Sequence, residues 1–218
     1  MNIAQKRIHL KLIASRIVMT SIITGDIINS RKGIPKDWLK ALKTTLNNYG
    51  SQPEHWEIYR GDSFQLEVKP SQALKASILI KASLKQFKEI DVKLAIGIGE
   101  KTHHSEKITE SNGSAFINSG ECFDQMKKTT LAIKSNFEGF DTAINIMLEL
   151  AQLTMNNWTT TSALLIKSAL ENPKLNQKQL AAIFGKTQGN ISQGLKRSGY
   201  DEILKMLHYY SSQIQTLC

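Results

Sequence analysis

Two aspartates of this chain stand in the same small setting, Gly25-Asp26-Ile27 and Gly61-Asp62-Ser63, each beside a stretch that reads as a strand. Carboxylates are hard oxygen donors. Brought together at strand ends they would suit Mg²⁺ and, through it, the phosphate oxygens of a nucleotide. Turn chemistry accounts for the same pairs, because Asp after Gly commonly closes a turn with its own side chain. A second group lies far downstream. Lys186, Thr187, Gln188, Asn190, Ser192, Gln193, Lys196 and Arg197 supply amides and hydroxyls able to pair with base edges, and cations able to meet phosphates.

The element that must position this second group is legible in three residues of the segment 177–193. Ala181 is small enough for two helices to cross closely, Gly185 tolerates the positive φ of a tight turn, and Ile191 fills the wedge between the helices. A plain α-hairpin uses the same spacing. The amide-rich face and flanking positive charge favour a helix-turn-helix that binds duplex DNA.

Around the aspartates the pattern alternates between strand and helix. Ile17 to Thr24 is β-rich and predicts a central strand closed by a turn at Gly25-Asp26. Pro35 opens a helix to about Asn48. The runs Trp56–Tyr59 and Ser63–Val68 then alternate apolar and polar residues about Arg60-Gly61-Asp62, which predicts a hairpin. Pro70-Ser71 begins a helix with Ala73, Ala76, Ile80, Leu84 and Phe87 on one face. Asp91 to Gly99 is a strand with Val92, Leu94, Ile96 and Ile98 on one side and only Ala95, Gly97 and Gly99 on the other. That bare side fits close approach by a backbone or a ligand, and equally a strand ending at a loop. Residues 100–113 are a polar loop, in which His103-His104-Ser105-Glu106 lacks the spacing of a zinc site. A helix starting near Ser119 or Gly120, a short strand over Leu131–Ser135 and a connector helix over Asp141–Asn157 follow.

Composition bounds the classes. Of 218 residues 41% are hydrophobic, and no run is long enough to span a bilayer. Two distant cysteines and the absence of an uninterrupted signal core fit a cytoplasmic protein. The net charge of +9 is concentrated at the ends: residues 1–18 hold four basic and no acidic residues, and residues 151–218 hold seven basic and three acidic. Met19 could be the natural start, which would discount the first cluster. No P-loop, nucleophile elbow or dinucleotide fingerprint is present.

The blocks Thr24–Arg31, Tyr59–Gln65, Ala95–Gly99 and Ser111–Glu121, in that order, resemble the SatD family of bacterial proteins over most of residues 19–200. That resemblance implies little biochemistry. The layout is also similar to class III nucleotide cyclases and their palm-like, ferredoxin-fold relatives. This second likeness implies Asp26, Ile27 and Asp62 at a Mg²⁺ site, with Gly25, Asn29, Ser30, Arg31, Arg60, Gly61, Gly97 and Gly99 about a nucleotide. The Asn and Arg that such cyclases carry on their last helix have no counterpart in Asn118-Ser119-Gly120-Glu121-Cys122, which fits sensing better than turnover.

The expected architecture is therefore α/β (α+β): a basic extension over 1–18, a ferredoxin-like, cyclase-like domain over 19–140, a connector helix over 141–158 and an all-α helix-turn-helix domain over 159–218. The expected function is a DNA-binding regulator whose cyclase-like domain binds a nucleotide with Mg²⁺ or mediates dimerisation. A Mg²⁺-dependent nucleotidyl-transfer enzyme is the alternative, and a pure assembly module the third reading. A homodimer is expected from the bare Ala95, Gly97, Gly99 face and from one helix-turn-helix per chain.

Overall fold

The computed structural model describes residues 19–32 and 34–218. The expectations for residues 1–18, with Ile17 and Val18 as strand members, lie outside them. The elements run β1 (Met19–Ile28), α1 (Pro35–Leu46), β2 (Trp56–Tyr59), β3 (Ser63–Val68), α2 (Pro70–Leu84), β4 (Asp91–Glu100), α3 (Ser114–Gln125), β5 (Leu131–Lys134), α4 (Glu138–Met155), α5 (Thr160–Glu171), α6 (Gln177–Phe184), α7 (Gln188–Arg197) and α8 (Tyr200–Leu217). The five strands form one mixed sheet in the order β2-β3-β1-β4-β5. β1 is antiparallel to β3 and to β4, and β5 is parallel to β4.

Period-two alternation divides the sheet into two faces. Ile23, Ile27, Phe64, Leu66, Leu94 and Ile96 point into the main core, against Leu42 and Leu46 of α1 and the apolar side of α2. α2 is buried on nearly every side because it lies between the sheet and helices α5 and α8. α3 covers β4 and β1 on the opposite face.

Three local expectations are corrected. β1 runs straight through Gly25-Asp26 to Ile28 instead of turning there. Gly25 pairs with Phe64, whose ring fills the place of the missing side chain, so glycine is accommodated inside the strand. α3 begins at Ser114, ahead of the expected Ser119 or Gly120, because its small residues are selected by contact with the sheet. α4 does more than connect. Its Asn145 side chain accepts from the Ile133 N–H and donates to the Ile133 carbonyl, both at 2.9 Å. Its Gln152 does the same for Leu131, at 2.9 and 3.0 Å. The two amides thus stand where a sixth strand would, and satisfy the edge of β5.

The core also crosses the expected domain boundary. Ala163, Ile166 and Leu170 of α5 and Ile203, Met206, Tyr210 and Ile214 of α8 belong to the same cluster as the sheet. Tyr210 donates its hydroxyl to the Pro70 carbonyl at 2.7 Å. A smaller core of Leu165, Ala169, Leu180, Ala181, Ile191 and Leu195 joins α5, α6 and α7.

Candidate functional site

The two aspartates become neighbours through strand register. Asp26 lies opposite Ser63, whose hydroxyl donates to Asp26 Oδ1 at 2.7 Å. The Ile27 N–H donates to the Asp62 carbonyl at 3.1 Å, and the Ser30 hydroxyl to Asp62 Oδ2 at 2.8 Å. Positive φ at Arg60 (55°) and Gly61 (88°) turns the hairpin tightly enough to bring Asp62 back to β1. Asn29 is also left-handed at φ 61°, and its side chain donates to the Glu89 carbonyl at 2.9 Å. Arg31 and Arg60 are exposed.

Asp26 shares its sheet face with Thr24, Glu57, Tyr59, Ser63 and Gln65, all half-buried. This polar strip lies on the side away from the main core. Burial raises the Tyr59 phenol pKa above its ordinary value, with Arg60 opposing and Asp26 adding to the rise. Across β4, Lys93 turns away from Asp26, donating to the Met126 carbonyl at 3.0 Å with its ammonium 4.2 Å from the centre of the Phe123 ring. Two carboxylates and nearby backbone carbonyls are oxygen donors of the kind Mg²⁺ takes. Among the described residues no cluster of three or more His, Cys, Asp or Glu could hold a metal ion. His103 pairs through its backbone with Asn112 in the exposed loop.

Three glycines offered to a nucleotide have other neighbours. Gly25 faces the core beneath the Phe64 ring. A Cβ on Gly97 would run into the Ala115 carbonyl oxygen and the Ser119 amide, and one on Gly99 would lie 2.6 Å from the Ala115 amide. The backbone that approaches the bare face is therefore this chain's own α3, held by a 2.5 Å hydrogen bond between the Thr24 and Ser119 hydroxyls and by Asn118 donating to the Ile98 carbonyl at 2.8 Å. That face is filled and cannot supply the self-association surface expected of it. Cys122 lies against the sheet in the same layer, and burial pushes its thiol up to about 12.

The C-terminal group is arranged differently. α6 starts at Asn176 with a reciprocal capping box to Gln179, and ends at Gly185 with φ 58°. Thr187 caps α7 by accepting from the Asn190 N–H at 3.2 Å. Ala181, Ile191 and Leu195 are buried at the contact, whereas Lys186, Thr187, Gln188, Asn190, Ser192, Gln193, Lys196 and Arg197 are all exposed.

One buried charge centre has no counterpart in the sequence reading. The fully buried side chain of Lys81 donates to Asp91 Oδ1 at 2.7 Å and to the Thr130 hydroxyl at 3.1 Å. Lys85 bonds the other Asp91 oxygen at 3.1 Å and the Asn156 carbonyl at 2.8 Å. Lys81 is a charged residue buried in a helix that is covered on nearly every side, which requires a partner for its charge. The network ties α2 to the start of β4, to the residue before β5 and to the C-terminal end of α4.

Fold and surface together describe a mixed α/β protein whose C-terminal helices present one exposed, polar and basic helix. The chain belongs to the SatD family, whose model matches residues 17–210. A search of curated proteins found no match. Among the described residues no helix is long and apolar enough to cross a membrane.

Proposed function

We propose that this chain is a DNA-binding protein in which α6 and α7 act as a helix-turn-helix and α7 reads duplex DNA. The observation that carries this reading is the division of α7: Ile191 and Leu195 anchor it, while every amide, hydroxyl and cation able to meet DNA faces solvent. A net charge of +9 supports it. In fluorescence anisotropy with labelled duplexes, Lys196→Ala is expected to weaken all sequences alike and reduce the salt slope by about one. Gln188→Ala is expected to relax preference at one position by about 1–3 kcal/mol. Affinity unchanged when Lys186, Lys196 and Arg197 are all alanine overturns the reading.

A second reading concerns the sheet. The β-α-β-β-α-β order of β1 to β4, with antiparallel neighbours throughout, favours a ferredoxin-like, cyclase-like body. Asp26 and Asp62 would hold Mg²⁺ there and the ion would carry the phosphates of a nucleotide. Asn118 is occupied with the Ile98 carbonyl, which favours sensing over transfer. Thermal unfolding tests it. Mg²⁺ with a nucleoside triphosphate is expected to stabilise wild type by mass action and to leave Asp62→Asn unmoved. If no ligand shifts wild type and Asp62→Asn is destabilised in EDTA, the aspartates serve the turn alone.

A further inference from the structure

A cleft of about 560 Å³ opens between the start of α5 and one flank of α7. Thr159, Thr161 and Ser162 line it from the α5 side, and Lys186, Asn190 and Arg197 from the α6–α7 turn and α7. Two cations therefore share the cleft with three hydroxyls and an amide. Among the described residues no Asp or Glu lines it.

The cleft follows from how α7 is seated. Asn190, Gly194 and Arg197 stand at i, i+4 and i+7, on one stripe of the helix. A Cβ on Gly194 would lie 2.7 Å from Leu165 Cδ2, so the missing side chain lets α7 lie close against α5. Asn190 and Arg197 flank that contact along the stripe. Leu165, Ile191 and Leu195 hold the two helices in one small core, and Thr159 closes the start of α5 by accepting from the Ser162 N–H at 3.1 Å.

We propose that this cleft seats a backbone phosphate of the duplex that α7 reads, which makes the start of α5 part of the DNA interface. The proposal rests on α7 being the helix that enters the major groove. That groove is about 12 Å wide and a helix with its side chains about 10–12 Å across, so the flanks of a seated helix meet the phosphate rims. On the flank toward α4 and α8, Asp201 and Glu202 stand among the cations and oppose an anion. On the α5 flank the charged lining residues are Lys186 and Arg197. A phosphate there takes charge-assisted bonds from these two and further bonds from the hydroxyls. Asn190 and Arg197 then set the position of α7 on the duplex without adding sequence preference.

Thr161→Glu tests this in the full chain. Thr161 is exposed and lies in the first turn of α5, where a carboxylate suits the helix dipole, so the fold should be kept while a phosphate is repelled. In fluorescence anisotropy with labelled duplexes of several sequences, the variant is expected to weaken every duplex by the same factor, ~10-fold or more. Its salt slope should fall by about one. Gln215→Glu adds the same charge roughly 22 Å along α8 from its start and is expected to bind as wild type does. Lys196→Ala, outside the cleft, reports on the reading of α7 by itself. If Lys196→Ala weakens binding while Thr161→Glu matches Gln215→Glu, α7 keeps its DNA and the cleft proposal is overturned. A Thr161→Glu loss confined to some sequences overturns it as well, since bases and not phosphates would then lie there. A wild type that binds no duplex removes both readings. Millimolar inorganic phosphate that stabilises wild type but not Thr161→Glu against heat, with equal duplex affinities, gives the cleft to a free anion and overturns the proposal too.

Discussion

Replacing Gly97 with alanine is expected to lower stability by about 3 kcal/mol or more, although the same exchange at an unobstructed position adds about 0.4–1 kcal/mol. The sign is decided by what covers the strand. The new Cβ would enter space held by the Ala115 carbonyl and the Ser119 amide, both backbone groups of α3. A flexible side chain could swing aside, but a helix backbone yields only by lifting. Lifting α3 would strain the Thr24–Ser119 and Asn118–Ile98 hydrogen bonds and open the small cluster of Ile22, Ile108, Ala115 and Phe116. Gly120, on the outer side of the same helix, has nothing within 4 Å of the place of its Cβ. Gly120→Ala should therefore gain up to about 1 kcal/mol from helix propensity. For a chain of this size 1 kcal/mol corresponds to roughly 2–4 °C, so thermal unfolding should show Gly97→Ala falling by at least about 6 °C and Gly120→Ala rising by a few degrees. If the two variants respond alike, α3 is not seated on β4 in this way.

The same contact shows how far local sequence information reaches. The bare side of β4 is compatible with close approach by a backbone or a ligand and with a strand ending at a loop. What comes close is not legible, since α3 opens with Ser114-Ala115 and carries small residues that give no clear apolar period. Gly25-Asp26 misleads for the opposite reason. Locally it is a turn pair, and only Phe64, on a neighbouring strand, makes glycine suitable inside β1. The α6–α7 turn is legible because each of its requirements is local: Gly185 needs positive φ, and Ala181 and Ile191 need burial a few residues away. α5 is legible as a helix but not as a bridge. Ala163 and Ile166 enter one core while Leu165 and Ala169 enter another, and the second partner is known only from the fold.

Lys81 is the sharpest case of a residue whose meaning is entirely tertiary, and Asp91→Asn exposes it. At neutral pH this variant is expected to lose about 3–5 kcal/mol, because it leaves a buried ammonium without its countercharge. Burial already holds the Lys81 pKa below its ordinary value of 10.5, with Asp91 working in the opposite direction. Removing Asp91 removes that opposition and deepens the depression. An amine whose folded pKa is depressed binds fewer protons in the folded than in the unfolded chain between the two values, so stability rises with pH across that window. The deficit of Asp91→Asn against wild type should therefore shrink between neutral pH and about pH 10, as Lys81 folds uncharged. Tyrosines whose pKa burial raises, Tyr59 and Tyr210 among them, titrate in both proteins and largely cancel in the difference. Lys81→Met supplies the control. It removes the buried charge while Lys85 still pairs with Asp91 at 3.1 Å, so its deficit should be smaller and should not shrink as the pH is raised. Urea unfolding of the three proteins at each pH measures these differences. A deficit for Asp91→Asn that stays constant or grows with pH would mean that Lys81 does not carry a buried charge.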